Sequence, residues 1–231
     1  TMDYRSSLEY NRVREDIISS YGQNCSLVML QKLRMYCAHR NLLVDSNRDP
    51  AERSPKYNRM LEILDEIILS REKAIIFTSW QKMIDILVHD IKNRFGISTE
   101  FIDGRTPVHE RQNIIDQFNN NSKAAALILN PVAGGVGLNI TGANHVIHYN
   151  LEWNPAVVDQ ATRRSYRLGQ KRPVRVYMPY YKDTVEEVIN ERLEFKRSVA
   201  GNVIIGVRGS ADDYEDIIRA LRKTPQGETN E

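Results

Sequence analysis

Apolar residues recur at three-to-four spacing near the start of the chain. In SLVMLQKLRMYCAHRNLL they fall at Val28, Leu30, Leu33, Tyr36, Cys37 and Leu42, the period of an amphipathic helix, so residues 5–43 read as helical. The polar stretch DSNRDPAERSP (45–55) breaks the pattern and predicts a linker. Beyond it the period alternates. Ser54 followed by Pro55 is a cap with proline at the first helical position. It predicts a helix to about Ser70 that buries Leu61, Leu64, Ile67 and Ile68. KAIIFTS (73–79) is a continuous apolar strand suited to a sheet covered on both faces. A helix carrying Met83, Ile84, Leu87, Val88 and Ile91 follows, then the strand STEFID (98–103). Thr106 and Pro107 repeat the cap signal and open a helix to about Asn119. AALILN (125–130) and HVIHYN (145–150) are two more strands. Asn154 and Pro155 start another helix, VRVYMPYY (174–181) is a last strand, and 184–199 is a long helix with Asp183 and Glu186 as its capping box.

Strands alternating with helices predict an α/β fold with a parallel sheet flanked by helices on both faces. The boundaries expected are a helical segment and linker over 1–53, the α/β domain over 54–182, a helical brace over 183–224 and a disordered tail over 225–231. Ligands on such sheets bind beyond the carboxyl ends of the strands. The loops there are TSW (78–80), DGRT (103–106), NPVAGGVGLN (130–139) and LEWNP (151–155).

Size and charge narrow the chemistry. The 231 residues suit one large domain, or one domain with an appendage, and the net charge is only +2, so a nucleic-acid surface has to be a local patch. One exists: 163–175 holds Arg163, Arg164, Arg167, Lys171, Arg172 and Arg175 with no acidic residue. Cys25 and Cys37 have no zinc spacing and read as reduced thiols. No apolar run reaches the length of a membrane span and no signal peptide is visible. The opening TMDYRSS reads as a cut within a longer protein.

The most informative run is QATRRSYRLGQ (160–170). Arg164 and Arg167 share one helical face and are permanently charged forks suited to phosphate oxygens. A solvated basic helix end is the other reading. The turn AGGVGLN (133–139) favours phosphate, since exposed amides there can grip an anion, although a sharp strand-to-helix turn needs glycine as well. An arginine finger does little without a loop holding the β- and γ-phosphates, and no GxxxxGK[ST] is present. The hydroxyls and Arg105 of the DGRT and TSW loops suit sugar-phosphate contacts, or, for Thr106, ordinary capping. His109, His145 and His148 read as structural.

In order along the chain, KAIIFTSW, FIDGRTPVHERQNIIDQFN, LILNPVAGGVGLNITGANHVIHYNLEWNPAVVDQATRRSYRLGQKRPVRVY and DTVEEVINERLEFK resemble the second RecA-like lobe of the Swi/Snf-type ATPases of helicase superfamily two. The ending RLGQ, with Gln170, points to that branch rather than to the HRxGR of DEAD-box helicases. Three positions differ from the family's common pattern: Asn130 with Pro131, Arg163 and Tyr166.

The resemblance implies the C-terminal half of an ATP-driven motor that tracks on duplex DNA without sequence preference. It is inactive without lobe one, which holds most of the ATP and Mg2+. Arg164 and Arg167 would act as arginine fingers. Gly135, Gly137, Asn139 and Gln160 would lie by the nucleotide. Thr78, Ser79, Gly104, Arg105, Asn130 and Thr141 would line the DNA backbone path. Partners would be duplex DNA, lobe one and a nucleoprotein complex, with no membrane. The location would be cytoplasmic in a bacterium or archaeon and nuclear in a eukaryote. A motor displacing a protein from DNA and a catalytically silent interaction module are the alternatives.

Overall fold

The computed structural model describes residues 1–21, 26–44, 46, 48–52, 54–132, 138–164, 172–200 and 211–226. The chain divides into two compact units. One comprises residues 57–150 and 156–179, the other residues 1–56, 151–155 and 180–231.

The first unit is a five-stranded sheet built from β1 (Lys73–Phe77), β2 (Ser98–Ile102), β3 (Ala125–Leu129), β4 (His145–His148) and β5 (Arg175–Tyr177). The order is β2-β3-β1-β4-β5 and every pairing is parallel. The three inner strands are apolar because neither face sees water: Ile75, Ile76, Leu127, Ile128, Val146 and Ile147 are all fully buried. The edge strands differ. β2 alternates, and β5 runs three residues rather than the eight that VRVYMPYY suggested. Only one of its edges has a strand to pair with.

Helices α3 (Pro55–Leu69), α4 (Gln81–Phe95), α5 (Val108–Asn120) and α6 (Pro155–Arg163) accompany the strands. α3 buries Leu61, Leu64 and Ile67 as expected, with Ile63 in place of the half-buried Ile68. α4 ends on Gly96 at φ 62°, a left-handed cap whose amide returns to the Lys92 carbonyl, a conformation glycine adopts without strain. The chain leaves β1 toward one side of the sheet and β3 toward the other, so the order reverses between these two neighbours. Crevices at such switch points, outside the carboxyl ends, are where open α/β sheets bind ligands.

The second unit is helical: α1 (Tyr4–Tyr21), α2 (Ser26–Ala38), a 3-10 turn (Arg40–Leu42), α7 (Val185–Ala200) and α8 (Ala211–Arg222). Its core joins Tyr10, Leu33, Tyr36, Cys37, Val185, Val188 and Leu221. The Tyr10 hydroxyl accepts the Val185 amide at 3.2 Å. A buried ion pair, Lys56 Nζ to Glu186 Oε1 at 2.5 Å, lies in the same unit, and the other Glu186 oxygen accepts the Tyr181 amide.

Two caps differ from expectation. Thr106 does not cap α5: its hydroxyl accepts the Asp103 amide and closes the DGRT turn, and Pro107 sits at the cap position. At α7 the cap is Thr184, whose hydroxyl accepts the Glu186 amide, while Glu187 receives the Asp183 amide. The box is one residue later than Asp183 and Glu186, which frees Glu186 to turn inward onto Lys56.

Candidate nucleotide and nucleic-acid site

The carboxyl ends of β1, β3 and β4 are tied together by side-chain amides. Ser79 donates its amide to Asn150 Oδ1 at 3.1 Å, and Asn130 Nδ2 donates to the Ser79 carbonyl at 3.3 Å. Asn130 Oδ1 in turn accepts the Val132 amide at 2.9 Å. Strand ends carry backbone groups that have lost their ladder partners. Asn130 and Asn150 satisfy them and fix the three loops as one platform. Asn150 was not among the residues singled out from sequence; the signal available was its place directly after a buried strand.

Thr78 is fully buried and its hydroxyl accepts the Trp80 amide at 3.5 Å. It builds the turn and presents no hydroxyl to a ligand; Ser79 is partly exposed. Gly104 and Arg105 are exposed on the DGRT turn. Arg105 is heavily committed. Its guanidinium reaches Asp85 at 2.7 and 3.1 Å and Asp103 at 2.7 and 2.9 Å, and it lies 5.1 Å from the Phe101 ring centroid. The hydrogen bonds to Asp85 and then Asp103 raise its pKa further, so it stays cationic throughout. Gly104 has nothing within 4 Å of a built Cβ, so no neighbour within the chain demands glycine there.

Arg164 closes this edge. The side chain is buried, its Nη2 donates to the Pro131 carbonyl at 3.3 Å, and its own carbonyl accepts the Ile140 amide at 3.1 Å. It is therefore turned inward rather than presented to solvent. Asn139 is exposed, with its carbonyl held by Asn119 Nδ2 at 3.1 Å, and Gln160 is exposed on α6. Arg167, Gly135 and Gly137 lie outside the described residues.

Thr141 does not stand with the others. It lies just before β4, at the amino edge, a strand length of roughly 13 Å from the carboxyl ends. There it lines a cavity of about 290 Å³ with Arg71, Lys73, Lys123, Gly142 and Arg172. Lys73 Nζ donates to the carbonyls of Phe118, Asn119 and Asn121, so it caps the end of α5, and burial lowers its pKa. Gly142 packs so closely on α5 that a Cβ would meet Asn119 Cα at 2.7 Å. Glu72 binds His145 Nε2 and Arg172 there, and these contacts, His145 first, lower its pKa. His148 is structural: its Nε2 meets Thr162 Oγ1 at 2.8 Å and its ring stacks on Phe77. Among the described residues no cluster of three His, Cys, Asp or Glu side chains could hold a metal ion, and no helix is long and apolar enough to cross a membrane.

The helicase conserved C-terminal domain family matches residues 56–169. The Zorya protein ZorD of Escherichia coli O139:H28 (strain E24377A / ETEC) is 37% identical over 206 residues, which cover 84% of this chain and 19% of that protein. Among solved structures, the Sulfolobus solfataricus SWI2/SNF2 ATPase core in complex with dsDNA superposes with a TM-score of 0.75 at 31% identity, covering 99% of this chain and 49% of that one. The C-terminal domain of a Sulfolobus solfataricus SWI2/SNF2 ATPase gives 0.70 at 28%, covering 99% and 96%. The chain spans about a fifth of the length of the curated relatives it matches.

Proposed function

From the premise that the chain belongs to the helicase C-terminal domain family and is the second RecA-like lobe of a Swi/Snf-type ATPase, we propose that it is half of a motor that uses ATP to move along duplex DNA. The observation that carries this is the match, over nearly the whole chain, to an ATPase core solved with dsDNA. In this reading ATP binds mainly to lobe one, which also supplies the ligands for magnesium and the β- and γ-phosphates. When bound, magnesium neutralises charge developing on the transferred phosphoryl group. This chain contributes a cation and a shaped edge. In this reading Asn139 and Gln160, both exposed, serve the nucleotide, and Gly135 and Gly137 are assigned to it by the family resemblance alone.

The finger role falls to Arg164, buried and held on Pro131 in this structure, and to Arg167. A guanidinium in that role stabilises negative charge as the γ-phosphate departs, an effect on the transition state rather than on affinity. The platform of Ser79 and Asn130, with Gly104 and Arg105 on the neighbouring turn, takes the DNA backbone. Polar groups on phosphate position the duplex without reading sequence.

The test is made in the parent protein. Arg167→Ala should lower DNA-stimulated hydrolysis by roughly 10³-fold or more and leave DNA affinity within about twofold. Near-normal turnover in that variant would end the finger assignment.

A further inference from the structure

The geometry points to a second anion site in the cavity at the amino edge of the sheet, one that takes the phosphate groups of a small ligand such as pyrophosphate or a nucleoside diphosphate. The cavity belongs wholly to the sheet unit and lies a strand length from the platform of Asn130 and Asn150. Four of its lining side chains are cationic, Arg71, Lys73, Lys123 and Arg172, against one carboxylate, Glu72.

Two features there would repel an anion, and both are covered. The carbonyls ending α5 carry the negative end of the helix dipole. Lys73 Nζ donates to those of Phe118, Asn119 and Asn121 at 2.8, 3.0 and 2.8 Å. Glu72 is engaged by His145 Nε2, and by Arg172 Nη1 at 2.8 Å. Arg71 and Lys123 are left over. Both are exposed, and among the described residues neither side chain makes a hydrogen bond or an ion pair. The hydroxyls of Ser122 and Thr141 line the same cavity. Its volume of about 290 Å³ is near the lower end of small-molecule pockets, about 300 Å³, which favours a compact ligand over a rod-like duplex.

The backbone gives an independent sign. α3 closes in a Schellman turn: the Glu72 amide donates to the Ile67 carbonyl at 3.0 Å and the Arg71 amide to the Ile68 carbonyl at 2.9 Å. Arg71 therefore occupies the left-handed position, at φ 57°, where glycine is usual because a Cβ is disfavoured. Capping gives no reason for an arginine there; lining the cavity does, and local strain of this kind gathers at ligand sites. Glycine stands instead at 142, where a Cβ would meet Asn119 Cα at 2.7 Å and Lys73 Nζ at 3.1 Å. That close approach packs the loop before β4 onto the end of α5 and walls the cavity.

The experiment titrates sodium pyrophosphate into this chain, with calorimetry for affinity and amide NMR shifts for location. Saturable shifts should appear at residues 71–73, 122–123 and 141–144. Arg71→Gly should weaken binding roughly tenfold, as loss of a charged hydrogen bond requires. Its melting temperature should be unchanged or higher, since glycine takes that φ freely. Lys123→Ala should weaken binding about threefold, and the double variant should lose the saturable shifts. Unchanged affinity in the double variant overturns the site, as does a dissociation constant above about 1 mM for the parent sequence. Shifts confined to Asn139, Gln160 and the platform overturn it too. A response at these amides to duplex DNA but not to pyrophosphate overturns the small-ligand assignment in favour of a nucleic-acid backbone. None of these outcomes involves ATP turnover, so failure here leaves the motor reading untouched.

Discussion

At the scale of single residues, Arg105 tests what an exposed arginine on this edge is for. Its fork is filled by Asp85 and Asp103, so a phosphate has to compete with two carboxylates already in place. Asp103 is buried and belongs to the turn. Asp85 is half-exposed and sits on α4, where water can replace Arg105 at little cost. Duplex DNA should therefore displace Asp85 and not Asp103. Asp85→Asn should tighten DNA binding by the parent protein a few-fold at low salt, and Arg105→Ala should reduce the slope of log affinity against log salt by about one. A slope unchanged in Arg105→Ala would make the arginine a strut for the DGRT turn only. Sequence made Arg105 visible through its loop, but not Asp85, twenty positions earlier. Nothing in the local pattern says that α4 lays that carboxylate against the turn. Thr78 failed as a surface hydroxyl for a related reason: the strand is buried to its last residue, and the turn takes up the hydroxyl.

At the scale of elements, the repeated cap-plus-proline signals located α3 and α6, because proline is tolerated only where the helix has no amide to lose. They misplaced the cap of α5, since Thr106 had a nearer amide to accept within its own turn. The shift at α7 has an energetic consequence. Glu186 is turned onto Lys56, and both side chains are almost wholly buried. Removing one partner strands the other charge, so Lys56→Met should destabilise the helical unit by about 3–5 kcal/mol, while Lys56→Met with Glu186→Leu should cost much less. Urea unfolding of the two variants checks this, and equal losses would count against the pair. Two further carboxylates tie elements together: Glu72 to His145 at the start of β4, and Glu187 of α7 to Lys223, just beyond α8. Both are held below the usual carboxylate range, Glu72 chiefly by the hydrogen bond to His145 and Glu187 by that to Lys223. A depressed folded pKa means stability that is complete above the unfolded value, about 4.3, and lost as pH falls through the folded one. Melting temperature should thus decline as pH drops below about 5, and less steeply in Glu72→Gln. Identical pH profiles for the two proteins would show that the pair contributes nothing.

For the molecule as a whole, the alternation of helices and strands was enough to predict a parallel sheet, and the loops after β1, β2 and β3 leave its carboxyl edge as the alternation requires. Strand order was not legible, because it depends on which buried apolar faces fit together, and all three inner strands carry the same residue types. Thr141 was grouped with the carboxyl-edge residues by the resemblance alone; in a parallel sheet its place just before β4 puts it at the amino edge. A net charge of +2 over 231 residues supplies little long-range attraction, and at physiological salt the Debye length is about 8 Å. Binding of duplex DNA to this chain by itself must come from a few contacts at one edge. With only two to four phosphates neutralised, affinity should be weak, should show no sequence preference, and should fall with salt by a slope of about 2 to 4. The same chain should hydrolyse no ATP by itself, since no P-loop lies within it, and adding lobe one in trans should restore DNA-stimulated turnover to the degree that the two halves associate. Filter binding across a salt series and a coupled ATPase assay measure both. Tight, salt-insensitive binding to one sequence, or turnover by the chain alone that Arg167→Ala abolishes, would mean that the second half of the pocket is not where this reading puts it.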